Sequence, residues 1–163
     1  MRSPTELTAE FRSLGLKVTP QRQLLFRLLY DNATHPTAEA LFDLASSQMP
    51  GISLRTVYQT LTDLTAMGEL QSFDFGAGAT RFDPNVGAHH HLVCTTCGDV
   101  ADIYAEGADH LRVSEQHDFV VATTDIVFRG ECGPCRDGAA LDTPSARPTS
   151  AHPSHTPATR SQP

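Results

Sequence analysis

The sequence predicts an α+β protein in which an N-terminal winged helix-turn-helix domain precedes a small α/β domain. Three observations support this fold class. Apolar residues recur at helical spacing over the first half of the 163 residues, alternating segments around a glycine turn follow, and short strand-like segments fill most of the remainder. The predicted division is residues 1–83 for the first domain, 84–88 for a hinge, 89–136 for the second domain and 137–163 for a disordered tail.

The first two helices are predicted from apolar stripes with clear boundaries. The first helix carries Leu7, Phe11 and Leu14 at helical spacing and closes at Gly15. The second helix opens at Thr19-Pro20, where a capping hydroxyl precedes a proline in the first helical position. Its predicted buried stripe consists of Leu24, Leu25, Leu28 and Leu29.

The next two helices are predicted on either side of a Pro-Gly break. The third helix starts at residues 35–37 and ends at 49–51, and its inward residues are Ala40, Leu41 and Leu44. The fourth helix is capped by Ser53 and stops at Gly68. It places on one face Val57, Leu61 and Leu64.

A hairpin and a second domain are predicted after these helices. Residues 70–75 and 79–83 alternate around a Gly-Ala-Gly turn, which together with the helices completes a winged helix-turn-helix. Residues 84–88 form a connector. The second domain is predicted to contain strands at 91–94, 100–104 and 119–128 with a helix at 107–116. The last 27 residues hold five Pro, eight Ser or Thr and no aromatic residue, which predicts disorder.

The charge is unevenly distributed along the chain. The net charge of −7 argues weakly against nucleic acid, since phosphate binding needs a basic face. Residues 1–82 hold seven basic against eight acidic residues, whereas residues 83–136 hold three against nine, which favours a cation-binding or solvated region. No segment is apolar enough to span a membrane or to act as a secretory signal. We therefore expect a cytoplasmic protein, in which disulfides are rare.

All four cysteines form two C-x-x-C pairs. The pairs are Cys94/Cys97 and Cys132/Cys135, with 34 residues between them. Two such pairs fit a tetrahedral structural zinc site that would hold distant elements together. The alternatives are a redox-active pair or four unrelated thiols.

Histidines and aspartates near the first cysteine pair suggest a second metal site. In an extended segment His89 and His91 point to one side and His90 to the other. Asp83 and Asp102 lie near in sequence, and an acid on a partly apolar strand needs a cationic partner. Fe(II), Mn(II), Co(II) and Zn(II) accept such mixed ligands. The alternative is a solvated polar connector.

The fourth helix is the candidate recognition helix. Its outward residues include Arg55, Tyr58, Gln59 and Thr62. Arg and Gln can contact base edges in a major groove, and Tyr can pack against a thymine methyl. The alternative is an ordinary solvent-exposed face.

Taken together, these features resemble the ferric uptake regulator family of metal-dependent bacterial repressors, over about residues 5–136. The resembling segments are 15–22 (GLKVTPQR), 35–38 (HPTA), 53–61 (SLRTVYQTL), 80–83 (TRFD), 89–91 (HHH) and both cysteine pairs. The resemblance implies a DNA-binding first domain, a dimerising second domain and a homodimer on double-stranded DNA with an inverted-repeat operator. It also implies DNA contacts from Lys17 and Arg22 and structural Zn(II) on the four cysteines. The implied regulatory Fe(II) or Mn(II) site comprises His35, Asp83, His89, His91 and Asp102.

The two aspartates resemble the peroxide-responsive branch of the family, whereas the iron-responsive branch tends to have glutamate. In that branch iron-catalysed oxidation of a ligating histidine, here His35 or His89, releases the DNA. The alternatives are an iron- or manganese-responsive homeostasis regulator, and a small metalloenzyme. We expect no enzyme, because the sequence indicates neither a pocket nor a general base.

Overall fold

The computed structural model describes residues 1–76, 79–111, 113–115 and 117–138. Except for its first two residues, the tail predicted to be disordered lies outside the described residues, as do two residues of the predicted wing turn. In the part of the chain that is described, no helix is long and apolar enough to cross a bilayer.

Four helices form the first half of the structure: α1 (Pro4–Ser13), α2 (Pro20–Leu29), α3 (Ala38–Gln48) and α4 (Leu54–Ala66). Each begins after a hydroxyl residue whose side-chain oxygen accepts a backbone N–H of the first turn. These capping residues are Ser3, Thr19, Thr37 and Ser53. Because a cap satisfies a backbone donor that has no partner in the helix, it fixes where each helix starts.

One apolar core joins these helices. It contains Leu7, Phe11, Leu24, Leu25, Leu29, Leu41, Val57, Leu61 and Leu64, as the helical spacing predicts. For two residues the prediction of burial is wrong, because Leu14 is 54% exposed and Leu44 is 45% exposed. Leu14 lies beyond the last turn of α1, and the inward stripe of α3 runs instead through Ala38, Leu41 and Ala45. Leu28 and Ala40 are only half-buried.

Two small sheets follow the helices. The wing is an antiparallel pair, β1 (Gln71–Phe73) and β2 (Arg81–Asp83). The second sheet has β3 (His90–Cys94) at its centre, antiparallel to β4 (Val100–Ile103) and parallel to β5 (Val127–Gly130). The short helix α5 (Gly133–Arg136) comes after β5. The predicted mixed fold is therefore confirmed, although most strands are shorter than the sequence suggested and β3 begins one residue earlier.

Two predicted elements of the second half are wrong. Instead of a helix over 107–116, the structure has a 3₁₀ turn at Ala108–His110, entered through Gly107 at a positive φ of 77°. Of the predicted strand over 119–128, only residues 127 and 128 belong to β5, and Phe119 and Val120 are 79% and 93% exposed. Their apolar side chains suggested a buried strand, but within the described part of the chain residues 119–125 pair with no neighbouring strand.

Polar contacts connect the two halves next to the predicted hinge. The Arg81 guanidinium donates to the carbonyl oxygens of His35 (3.3 Å) and Gly98 (2.8 Å). Arg129 of β5 donates to the carbonyl of Phe75 at 2.9 Å. The wing is thereby fixed against the second sheet, and this arrangement brings residues distant in sequence into one cluster.

Candidate metal centres

The five side chains of the regulatory site that the family resemblance implies meet between the two halves. His35 belongs to the turn before α3 and Asp83 ends β2, whereas the other three belong to the second half. In the register of β3 and β4, His91 lies opposite Asp102. His89 lies two residues before His91 and faces the same side, as the alternation of an extended chain predicts. One ligand atom from each residue lies within 4.8 Å of all the others.

The donor atoms converge in a way that ordinary hydrogen bonding does not explain. His35 Nε2 lies 2.7 Å from Asp102 Oδ1, and His89 Nε2 lies 2.8 Å from Asp83 Oδ2. Although these distances are short, the angles do not suit hydrogen bonds. His35 Nε2, Asp83 Oδ2 and Asp102 Oδ1 are therefore buried without a hydrogen-bond partner. Buried polar atoms in proteins are almost always satisfied. Three imidazoles and two carboxylates aimed at one point therefore fit a divalent cation such as Fe(II) or Mn(II).

The pKa shifts favour the metal-binding forms of His91 and Asp83, whereas His35 would have to give up a proton to bind a cation. Burial lowers the pKa of His91, and the neighbouring His89 and His35 lower it further, so the ring remains neutral and able to bind metal. Burial raises the pKa of Asp83, but the interaction with His35 and the N–H of Asn85 outweigh it, so the net shift is downward. Asp83 is therefore ionised. For His35, burial lowers the pKa but Asp83 outweighs it, so the imidazole titrates above its ordinary range.

The backbone also orients His89. Its Nδ1 lies 2.8 Å from the carbonyl oxygen of Gly87. A carbonyl can only accept, so Nδ1 is the donor of this contact, and Nε2 is the ring nitrogen that faces the cluster.

Aromatic residues of the wing pack against the His91 side of the cluster, and neither was predicted from the sequence as part of the site. The ring of Phe73 lies 4.3 Å from that of His91 and the ring of Phe75 lies 5.3 Å from it, centroid to centroid. The alternating Phe73 and Phe75 were the available signal, since both point to one face of the same segment. These rings exclude water from one side of the cluster.

The four cysteines form a second cluster at the far end of the sheet. Cys94 ends β3, and Gly130 of β5 is its partner in the parallel register, so strand pairing closes the long gap between the two cysteine pairs. The four Sγ atoms lie within 4.8 Å of one another, and those of Cys97 and Cys132 are 3.7 Å apart. Four thiolates at about 2.3 Å from a tetrahedral zinc ion would be about 3.8 Å apart. The geometry therefore fits a single Zn(II) ion.

The pKa shifts of the cysteine thiols also favour binding of a cation. The backbone N–H groups of Cys132 and Cys97 lower the pKa of Cys94 to about 6, because they stabilise its thiolate. Burial and the neighbouring sulfurs raise the pKa of Cys135 instead. A bound cation would relieve this mutual repulsion between thiolates.

The candidate recognition helix α4 presents a polar face to solvent. Arg55, Tyr58 and Gln59 are exposed, as is Lys17 before α2. Two of these side chains already have protein partners, since Tyr58 Oη donates to Glu39 at 2.6 Å and Gln59 to Asp63 at 2.9 Å.

Arg22 is placed differently from the other four expected DNA contacts. It forms an ion pair with Asp63 at 2.7 Å, and its side chain is only 13% exposed. In this position Arg22 is better placed to hold α4 through Asp63 than to contact DNA directly.

Comparison with known proteins assigns the family. The model of the ferric uptake regulator family matches residues 13–129. The peroxide-responsive repressor PerR of Staphylococcus epidermidis is 32% identical over 134 residues, which is 81% of this chain and 89% of that protein.

Two solved structures share the fold. The ferric uptake regulator of Helicobacter pylori, described with three functional metal-binding sites, matches with a TM-score of 0.70 and 19% identity over 81% of this chain and 90% of its own. A zinc-bound manganese uptake regulator matches with a TM-score of 0.65 and 26% identity, and the match covers 80% of this chain and 99% of that protein. On the extent of the family match and of the similarity to these relatives, this chain belongs to the ferric uptake regulator family.

Proposed function

We propose that this protein is a metal-dependent, DNA-binding transcriptional repressor that acts as a homodimer and responds to peroxide. The observation that carries the proposal is the five-residue cluster, because it takes His35 from the winged half and His89, His91 and Asp102 from the second half. A cation held by all five residues would favour one arrangement of the two halves over all others.

The winged half, residues 1–83, would bind double-stranded DNA. The exposed residues of α4 would enter the major groove, with Arg55 as the side chain best placed to reach base edges. Lys17 would contact phosphate. Because two winged halves of a homodimer are related by a twofold axis, the operator would be an inverted repeat.

The two clusters would have different roles. Cys94, Cys97, Cys132 and Cys135 would hold structural Zn(II), which joins the end of β3 to α5. His35, Asp83, His89, His91 and Asp102 would hold regulatory Fe(II) or Mn(II). Four thiolates suit zinc, whereas nitrogen and oxygen donors suit iron and manganese.

Peroxide would act at the regulatory site. Bound Fe(II) would supply the electrons that reduce peroxide, and the oxidant formed would add oxygen to the ring of His35 or His89. An imidazole that gains oxygen binds a cation poorly, so His35 would no longer hold the winged half in place. The relatives named as peroxide-responsive repressors support this choice.

The test is operator binding by the zinc-loaded protein. Anisotropy titrations should show tight binding with Mn(II) or with anaerobic Fe(II), and loss of binding when peroxide is added to the Fe(II) form alone. Peptide mass spectrometry should then find added oxygen on His35 or His89. Metal-dependent binding that is equally resistant to peroxide with both ions would indicate an iron- or manganese-responsive homeostasis regulator instead. Binding that does not depend on metal at all would refute the proposal.

A further inference from the structure

We infer that Asn85, in the predicted hinge, is a positioning residue that fixes both carboxylates of the regulatory site. This inference rests on the proposed function and concerns how that site is assembled. Asn85 is not one of the five candidate ligands, but it contacts two of them. Its backbone N–H donates to Asp83 Oδ1 at 2.7 Å, and its side-chain amide donates to Asp102 Oδ2 at 2.6 Å.

These two contacts divide each carboxylate into a held oxygen and a free one. The free oxygens are Asp83 Oδ2 and Asp102 Oδ1, which are the atoms left buried without a hydrogen-bond partner. They lie beside His89 Nε2 and His35 Nε2 respectively. Asn85 therefore aims one oxygen of each aspartate at the site, and it does so from a single position.

Asn85 is itself held in place from both sides. Gln71 of β1 donates through its side-chain amide to the Asn85 carbonyl at 3.1 Å. The N–H of Gly87 donates to Asn85 Oδ1 at 3.2 Å, which also fixes which end of the side-chain amide faces Asp102. The carbonyl oxygen of Gly87 in turn orients the His89 ring. Residues 85–87 thus orient three of the five candidate ligands, so the segment that would bend between the halves also shapes the metal site.

Asn85 also borders the solvent side of the site. A cavity of about 410 Å³ is lined by Asp83, Asn85 and Asp102 together with Asp31, Asn32 and Tyr104. Shortening Asn85 would let water reach Asp102 Oδ2 and would free the carboxylate to turn. Groups that orient metal ligands in this way commonly contribute tenfold to hundredfold to metal affinity.

The test is the Mn(II) affinity of the zinc-loaded full chain, measured by calorimetry and by the electron paramagnetic resonance signal of free Mn(II). We expect N85A and N85S to bind Mn(II) at least about tenfold more weakly than the parent. Zinc content and the thermal midpoint without Mn(II) should not change. The matched control is Y104F, which alters the same cavity and, within the described residues, removes the 3.4 Å contact that the Asn85 amide donates to the hydroxyl. It should keep the parent affinity.

A double-mutant cycle separates positioning from a general structural effect. If Asn85 acts through Asp102, N85A should cost much less Mn(II) affinity in a D102A background than in the parent. Equal losses in both backgrounds, an unchanged affinity in N85A, or loss of zinc or unfolding in N85A and N85S would each overturn the inference. A parent protein that does not respond to Mn(II) would instead refute the proposed function, so the two failures are distinguishable.

Discussion

His35 shows how one residue can depend on its surroundings. Its φ of 49° is a conformation that side chains other than glycine seldom adopt, and it is fully buried. Two contacts hold this turn against the wing: Arg81 binds the His35 carbonyl, and the N–H of Phe82 donates to the Pro36 carbonyl at 3.1 Å. Strained positions of this kind are found mostly at functional sites. The motif suggested His35 as a ligand, but nothing in its local sequence indicated this strain.

We predict that His35→Ala abolishes most of the Mn(II)-dependent gain in operator affinity. The variant removes the only candidate ligand before the wing, so any ion still bound would no longer draw the winged half into place. The matched control is His117→Ala, whose side chain is 78% exposed in the second half. Anisotropy titrations with and without Mn(II) measure the effect, and a His35→Ala protein that keeps the full metal response would contradict the switch.

A second prediction at the residue scale concerns Asp102→Glu. This variant keeps the charge and the oxygen donors, so Mn(II)-dependent operator binding should remain. The extra methylene moves the carboxylate relative to Asn85 and alters access from the cavity, so histidine oxidation by peroxide should become slower. Peptide mass spectrometry of the Fe(II) protein over a time course of peroxide measures this rate. An oxidation rate equal to that of the parent would show that peroxide access does not depend on how the Asp102 carboxylate is placed, whereas absence of oxidation in the parent itself would favour the homeostasis regulator.

At the scale of elements, the sequence predicted the helices far better than the second sheet. Helix α4 has a capping residue and a regular apolar stripe, and both signals are local. Strand β5 is defined by parallel pairing with β3, a long-range contact that no local pattern reveals. The same pairing brings Cys94 near Cys132. The spacing of the two C-x-x-C pairs was enough to predict the four zinc ligands. How the chain brings the pairs together across 34 residues could be seen only in the structure.

For α4 we predict that Arg55→Ala weakens operator binding more than binding to random DNA. A base-edge contact is worth about 1–3 kcal/mol of discrimination, whereas a phosphate contact weakens both complexes alike. Arg27→Ala is the control, because Arg27 is an exposed cation near the end of α2. Parallel titrations at one salt concentration compare the two DNAs. Equal losses on both would assign Arg55 to the phosphate backbone.

For the cysteine cluster we predict that Cys132→Ser loses zinc and destabilises the second half. Zinc binding contributes on the order of 10 kcal/mol to the folding of small zinc peptides, and here it would join β3 to α5. Ser47→Ala, at an exposed serine of α3, provides a neutral reference. Metal analysis and thermal unfolding measure the result. A zinc-free Cys132→Ser protein with the parent's thermal midpoint would show that the four thiols have another role.

At the scale of the whole molecule, Arg81 links the two clusters. It belongs to the wing, and its guanidinium reaches the backbone of His35 on one side and that of Gly98, next to Cys97, on the other. A planar guanidinium can hold two acceptors in fixed directions, which a lysine ammonium does less well. Arg81 therefore couples the backbone of a candidate regulatory ligand to the loop of the candidate zinc site.

We predict that Arg81→Ala lowers the Mn(II)-dependent gain in operator affinity by about fivefold, because losing a charged donor from half-buried carbonyls costs about 1 kcal/mol or more. Arg81→Lys should fall between this variant and the parent. Zinc content should not change, since no cysteine is removed. The control is Arg129→Ala, which also removes a contact between the halves but, among the described residues, donates to the Phe75 carbonyl and not to that of His35. If Arg129→Ala lost as much of the metal response as Arg81→Ala, the effect would come from loosening the interface as a whole. A loss specific to Arg81 would show that the position of His35 depends on the loop that carries the cysteines.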